Sequence, residues 1–368
     1  MSYVKHGYPK LVVDLGKLRH NIEYVKDLCA KDGVEIAGVI KGCTGLVPCA
    51  GEFEKAGVKY IASSRLEQLA ALKEAGFRTP LLMVRIPMLS EAEDIVKYCD
   101  YSLNSEMVVL EKLNKCACEQ DKIHNVILMA DCGDLREGWW DKDEMTEAAV
   151  KVEDELTNLH LTGVGFNVGC YGSIVATPEK IGELIEVADA IEARIGRKLE
   201  VISGGATSSF MRVLDGNLPE RVNMLRIGEG ILLAYDLPVL YDYDLSEMYQ
   251  NVYTLQAEVI EVKDKPSHPV GERGFDAFGH QIEYVDRGIR RRALIALGKC
   301  DYGDPDDLLP RLEGIEILGA SSDHTILDIQ DLVDAEGEIK VGDIIEFDLK
   351  YSTMVYVTNS DNIEKVYI

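Results

Sequence analysis

Through the first two thirds of the chain, short runs of apolar and β-branched residues alternate with longer stretches in which apolar positions recur every three or four residues. The short runs predict strands at Val34–Lys41, Lys59–Ser63, Pro80–Ile86, Tyr101–Asn104, Asn125–Asp131, Leu161–Asn167, Leu199–Ser203 and Asn223–Ile227. Between them, Leu66–Glu74, Glu91–Lys97, Glu106–Glu119, Glu144–Leu156 and Pro178–Ile195 carry the helical period. Eight strand-then-helix units over roughly 200 residues predict an α/β fold with a parallel (β/α)8 barrel of the TIM type, because a doubly wound open sheet seldom runs so long.

The pattern changes near Leu237-Pro-Val-Leu-Tyr-Asp-Tyr-Asp244. Beyond it, strands are predicted at Val252–Val262, Arg292–Leu297, Ile315–Leu318, Thr325–Ile329, Asp343–Leu349 and Met354–Thr358, with a hairpin-like Asp334-Ala-Glu-Gly-Glu338 joining two of them. The expected division is a barrel over residues 1–240 and a separate C-terminal β domain over residues 241–368. Within residues 1–14, the strand-like Lys10–Asp14 precedes the barrel and is placed to pair with the β domain.

Composition narrows the partners. With 39 basic and 64 acidic residues the formal charge is −25, which argues against nucleic acid or an anionic membrane surface. The nine cysteines have no zinc-type spacing, Cys116-Ala-Cys118 being too tight, and an odd number suits no disulfide framework, so no metal is expected. They read as reduced thiols of a cytoplasmic protein. The opening Met1–Tyr8 lacks an apolar leader core, and no run of about 18 apolar residues follows.

In a barrel of this kind ligands meet the C-terminal ends of the strands. Lys41 closes the first predicted strand and precedes Gly42. A partly desolvated amine there can form a Schiff base; a solvated lysine closing a strand is the alternative. After the fifth strand, Asp131-Cys-Gly-Asp-Leu-Arg136 offers an arginine able to pair with a carboxylate, or a surface salt bridge. The seventh ends in Ile202-Ser-Gly-Gly-Ala-Thr-Ser-Ser-Phe210, where backbone N–H groups and hydroxyls suit a phosphate, or simply cap a helix. The eighth ends in Arg226-Ile-Gly-Glu-Gly230, a second phosphate-compatible turn. An amine, a phosphate cradle and an arginine in one mouth fit pyridoxal 5'-phosphate acting on amino acids.

The barrel-first plan, the Gly-Val-Ile-Lys41-Gly motif and Asp131-x-Gly-x-x-Arg136 together resemble the alanine racemase family of pyridoxal-phosphate enzymes, from about Lys10 to the C-terminus. Asp286-Arg-Gly-Ile-Arg-Arg-Arg-Ala293 and Gly319-Ala-Ser-Ser-Asp-His-Thr-Ile-Leu-Asp328 look most like its ornithine racemase branch. The resemblance implies that Lys41 is the Schiff-base lysine and one of two acid/base groups. It implies that Arg136 steadies the substrate or phenolate side, and that Thr207, Ser208, Gly228 and Gly230 hold the phosphate. It places Arg226 at the pyridine nitrogen, where a glutamate is expected in related barrel decarboxylases. A head-to-tail homodimer with shared active sites is implied as well.

The chain also departs from that family. Gly45 stands where a tyrosine is usual four residues after the lysine, and Lys299 stands where the opposite-face tyrosine would be in Gly298-Lys-Cys-Asp-Tyr-Gly303. Asn167 replaces a usual histidine, and a C-terminal phosphate-binding tyrosine is missing near Asp361. Racemisation by two bases requires a proton donor opposite Lys41. Cys300 and His324 are put forward, with Lys299, Asp301 and Asp323 as further candidates. Asp134, Glu137 and Asp323 are carboxylates able to receive a distal ammonium. The expected activity is a racemase acting on ornithine or a similar basic amino acid. Alternatives are an alanine or broad-specificity racemase, a barrel decarboxylase suggested by Cys300-Asp301, and a non-catalytic pyridoxal-phosphate-binding protein.

Overall fold

The computed structural model describes residues 7–335 and 337–368. The opening Met1–His6 and Glu336, inside the expected 334–338 hairpin, lie outside the described residues. The chain divides into two compact units, Gly16–Tyr249 in one and the described residues up to Leu15 with Gln250–Ile368 in the other.

Strand β1 (Lys10–Val13) and helix α1 (Leu15–Lys31) lead into the barrel. The barrel unit then runs β2 (Glu35–Val39), α2 (Val47–Lys55), β3 (Tyr60–Ser63), α3 (Leu66–Glu74), β4 (Leu81–Met83), α4 (Ala92–Tyr98), β5 (Tyr101–Asn104), α5 (Met107–Glu119), β6 (His124–Ala130), α6 (Lys142–Glu155), β7 (Leu159–Phe166), α7 (Pro178–Ile195), β8 (Val201–Ser203), α8 (Thr207–Leu214) and β9 (Met224–Ile227). Two short helices, α9 (Glu229–Leu232) and α10 (Asp236–Tyr241), end it. Strands β2 to β9 form a closed barrel in sequence order, and β9 returns to pair in parallel with β2, Glu35 opposite Met224. All eight predicted strands are present. Helix ends follow local chemistry: Asp141 accepts from the N–H groups of Asp143 and Glu144 to start α6, while Thr177 and Pro178 start α7 and Gly196, at φ 74°, stops it.

Both faces of these strands are buried, which is why they read as unbroken apolar runs. Their inward faces form one cluster that includes Ala37, Val39, Tyr60, Ala62, Ile127, Met129, Val201 and Met224. Side chains alternate along a strand, so the next inward positions beyond Val39, Met129, Val201 and Met224 are Lys41, Asp131, Ser203 and Arg226. The apolar fill of the barrel therefore gives way to polar groups at the C-terminal mouth.

The β unit contains β10 (Tyr253–Pro266), β11 (Ile289–Ile295), α11 (Lys299–Tyr302), β12 (Leu308–Pro310), β13 (Glu316–Ala320), β14 (Thr325–Asp328), α12 (Gln330–Asp334), β15 (Ile344–Leu349), α13 (Tyr351–Asn359) and β16 (Glu364–Tyr367). The strand order is β12-β15-β10-β11-β14-β13. Strand β1 pairs antiparallel with β10 and parallel with β16. Two local expectations are corrected here. Met354–Thr358 lies in helix α13, because Thr353, Met354, Val357 and Thr358 are buried at helical spacing and Thr353 Oγ1 donates to the carbonyls of Asp307 and Lys350. Packing outweighs the strand preference of its β-branched residues. Residues 334–338 do not link paired strands: α12 precedes them, β14 neighbours β11 and β13, and β15 neighbours β10 and β12.

Candidate active site

Lys41 sits in the turn after β2, half-buried, and its amine makes no hydrogen bond or ion pair among the described residues. Burial holds this amine below the ordinary lysine range; the positive charges of Arg136 and Arg226 act in the same direction, and Cys170 and Glu137 oppose them. A lysine of this kind spends more of its time neutral at a given pH, which is what a nucleophilic or basic amine needs.

Arg136 and Glu137 form a two-point ion pair in the loop after β6, Nε to Oε2 at 2.5 Å and Nη2 to Oε1 at 2.9 Å. Thus Arg136 is partnered within the chain by the next residue. Burial raises the Glu137 carboxyl above its ordinary range, against the opposing charges of Arg136, Arg226 and Lys41. Cys170 is exposed in the loop after β7, and its thiol group opposes the lowering of the pKa of both Lys41 and Arg226.

Arg226 is 5% exposed, at the inward position that the alternation of β9 assigns it. Its Nη1 donates to Ser203 Oγ at the end of β8, and its Nη2 donates to the carbonyl of Phe166 at the end of β7, 2.8 Å away. Burial lowers its pKa to about 10, with Glu137 and Cys170 opposing, so the guanidinium is charged at neutral pH and can only donate.

The turns after β8 and β9 are joined. Gly230 N–H donates to Thr207 Oγ1 at 3.3 Å, and a Cβ on Gly230 would lie 2.9 Å from Thr207 Cγ2. Helix α8 has no side-chain cap; Ser209 N–H donates to the Ala206 carbonyl at 2.9 Å, and the N–H groups of Thr207 and Ser208 remain for an anion, beside the Thr207 hydroxyl. Ser208 Oγ donates to the carbonyl of Val168 at 2.6 Å. The Glu229 carboxyl faces the backbone instead, its Oε1 accepting from the N–H groups of Tyr235 and Asp236. Besides Glu229 Oε2 and Arg212 Nε, two buried donors here lack a partner, Ser209 Oγ in α8 and Asn167 Nδ2 after β7. Buried polar groups are rarely left so, and together with the uncapped helix they fit a phosphate-bearing ligand such as pyridoxal phosphate.

The remaining sequence candidates lie in the β unit. Cys300, in α11, and His324 and Asp323, before β14, are all exposed. Their segments are bonded to each other, Lys299 N–H to the Ser321 carbonyl and Cys300 N–H to the Ser322 carbonyl at 3.1 Å. Lys299 Nζ lies over the Phe278 ring, 4.3 Å from its centroid. Asp301 is buried and accepts from Gly298 N–H, Ser360 Oγ and Asn362 Nδ2. Asp323 Oδ2 accepts from Ser322 Oγ at 2.6 Å. Among the described residues no group of three or more His, Cys, Asp or Glu is placed to hold a metal, and no helix is long and apolar enough to cross a membrane.

Sequence reasoning passed over Cys170 at the mouth and, within Ile202–Phe210, did not single out Ser203 and Ser209. Cys170 follows a predicted strand end within Val168-Gly-Cys-Tyr-Gly172, so strand-end position was the signal that could have found it.

Residues 13–236 match the family model described as alanine racemase, N-terminal domain. An ornithine racemase of Acetoanaerobium sticklandii is 40% identical over 97% of this chain and 99% of its own. A lysine racemase of Thermotoga maritima is 38% identical over 98% of each. The solved alanine racemase from a D-cycloserine-producing Streptomyces lavendulae has the same fold, with a TM-score of 0.76, 16% identity, and 99% of this chain and 98% of that one covered. On its barrel, its strand-end residues and these matches, the chain belongs to the alanine racemase family.

Proposed function

We propose that the protein is a pyridoxal-phosphate-dependent racemase that interconverts the L and D forms of a basic amino acid, ornithine or lysine. The observation that carries this reading is Lys41, an unpaired amine held below its ordinary pKa at the mouth of a barrel whose seventh and eighth strand ends suit a phosphate. The full-length likeness to an ornithine and a lysine racemase supports the substrate class.

When bound, pyridoxal phosphate supplies the electron sink that acidifies the α-hydrogen of the amino acid. Lys41 is the amine that would hold it, with Thr207, Ser208 and the Gly228–Gly230 turn for its phosphate. Arg226 would meet the ring nitrogen as a donor only, which keeps that nitrogen unprotonated and the sink weak. A weak sink suits removal and return of one proton, and speaks against the decarboxylase alternative. Neutral Lys41 Nζ takes a proton on one face of the α-carbon; Arg136 steadies the carboxylate side.

The opposite face needs its own proton group, for which Cys300 and His324 of the β unit are the candidates. We read Gly16–Tyr249 as the cofactor unit and infer a homodimer in which the β unit of a second copy supplies that group. For the distal ammonium, Asp134 has both oxygens engaged by backbone N–H groups and Glu137 has both engaged by Arg136, which leaves Asp323 in the β unit. Nine cysteines, none of them in a disulfide among the described residues, support a cytoplasmic setting.

The test is incubation of the purified protein and cofactor with L-ornithine, L-lysine and L-alanine in deuterated water, followed by chiral analysis. Deuterium at the α-carbon and D-enantiomer from ornithine or lysine is the expected result. Exchange of alanine alone, release of carbon dioxide, or bound cofactor with no exchange would each overturn the reading.

A further inference from the structure

Asp134, in the loop after β6, is 1% exposed, and both carboxylate oxygens accept hydrogen bonds from the loop after β7. Oδ1 accepts from Gly169 N–H and Gly172 N–H, and Oδ2 from Tyr171 N–H, each at 3.0 Å. The two loops touch closely, since a Cβ on Gly172 would lie 2.8 Å from the Asp134 carbonyl oxygen. Asp131 braces the loop of Asp134, its Oδ1 accepting from Gly133 N–H at 2.9 Å and Leu135 N–H at 3.1 Å. On its far side the loop after β7 is pinned to α8: Ser208 Oγ donates to the Val168 carbonyl, and Gly169, at φ +84°, leaves only 2.9 Å between its missing Cβ and Ser208 Cβ.

One buried carboxylate therefore joins the loop carrying Arg136 and Glu137 to the loop carrying Cys170, which Ser208 in turn ties to the start of α8. Among the described residues no cation is paired with it, and three backbone N–H groups hold its two oxygens. We propose that Asp134 is a positioning residue of the active site, which sets Cys170 and the Arg136–Glu137 pair around Lys41 without touching the reacting atoms. Its consequence for turnover rests on the racemase reading above; its role as a clamp does not. The geometry gives Asp134 a different task from the ammonium receptor that its sequence position suggests.

The test compares Asp134→Asn and Asp134→Ala in the full-length, cofactor-loaded protein by three measurements: amide hydrogen exchange across residues 168–173, alkylation of Cys170 by iodoacetamide relative to the exposed Cys118 of α5, and α-hydrogen exchange of the amino acid substrate. Alanine removes both acceptor oxygens and with them all three hydrogen bonds, so amide exchange at Gly169, Tyr171 and Gly172 should quicken by roughly tenfold to a hundredfold. Asparagine keeps Oδ1 for Gly169 and Gly172 but meets Tyr171 N–H with an amide, so only that position should quicken. The ratio of Cys170 to Cys118 alkylation should rise in the alanine variant. Turnover should fall roughly tenfold or more with alanine and be partly restored with asparagine.

Should the alanine variant fail to fold, the asparagine variant carries the test through Tyr171 and turnover. Unchanged amide exchange and alkylation would overturn the clamp. Loosened loops with undiminished turnover would overturn the positioning role. Absence of turnover in the unsubstituted protein would sink the racemase reading alone, with amide exchange and alkylation still deciding the clamp.

Discussion

Arg226 Nη2 donates to the main-chain oxygen of Phe166 at 2.8 Å, tying the eighth strand of the barrel to the sixth across its mouth. The same guanidinium donates through Nη1 to Ser203 on the seventh. A planar group with donors in a fixed fork can bridge three strand ends in this way, and an ammonium on a flexible stem cannot. The bridge also keeps a permanent positive charge beside Lys41.

Arg226→Ala leaves the Phe166 carbonyl and the Ser203 hydroxyl buried without their partner. Lost hydrogen bonds to a charged group should lower the unfolding free energy by about 3 kcal/mol in total. Urea unfolding checks this: the midpoint should fall with the slope unchanged. A midpoint equal to that of the unsubstituted protein would show that the bridge contributes nothing to stability.

Lys41→Ala should abolish α-hydrogen exchange and the visible absorbance of bound cofactor, while thermal unfolding stays close to the unsubstituted protein. The last expectation follows because the amine makes no hydrogen bond or ion pair among the described residues. Exchange that survives the substitution would end the mechanism proposed here.

The depressed pKa of Lys41 has a measurable sign. With cofactor removed, labelling of Lys41 by a small amine-reactive reagent, followed by mass spectrometry against pH, should show a midpoint below that of exposed lysines. Glu137 opposes the depression, so Glu137→Gln should move the midpoint lower still. A midpoint that rises in this variant would contradict the assigned influence of Glu137.

Glu229 should make stability depend on pH. Burial, reinforced by Asp236, raises its carboxyl to about 7, while the N–H groups of Tyr235 and Asp236 oppose the rise. The folded chain then holds this proton more tightly than the unfolded chain, where glutamate titrates near about 4.3. Stability is fully present below the unfolded value and is lost as pH rises through about 7, by ~3 kcal/mol. Burial raises Asp236 as well, in the same sense. Glu229→Gln retains an acceptor for the two N–H groups, so it should match the unsubstituted protein in acid and exceed it above neutral pH. Thermal midpoints across that range decide the matter; parallel curves would refute it.

The sequence by itself determined the barrel. Strands buried on both faces must be apolar throughout, so each of the eight from Glu35–Val39 to Met224–Ile227 announces itself within a few residues of chain. Position at a strand end likewise marks Lys41, Arg136 and Arg226 as candidates, because alternation along the strand is a local property. The β unit was less legible. Tyr351–Asn359 is helical because its buried side pairs with residues near Asp307, and Glu364–Tyr367 becomes a strand by lying beside Lys10–Val13 from the other end of the chain.

Only the tertiary structure decided which polar residues face one another. Arg226 meets Phe166 and Ser203, and Asp134 meets the amides of Gly169, Tyr171 and Gly172. The last contacts span 35 to 38 residues of sequence. Hydrogen bonds and desolvation act over a few ångströms of space, and closure of the barrel, not spacing along the chain, brings these groups within that distance.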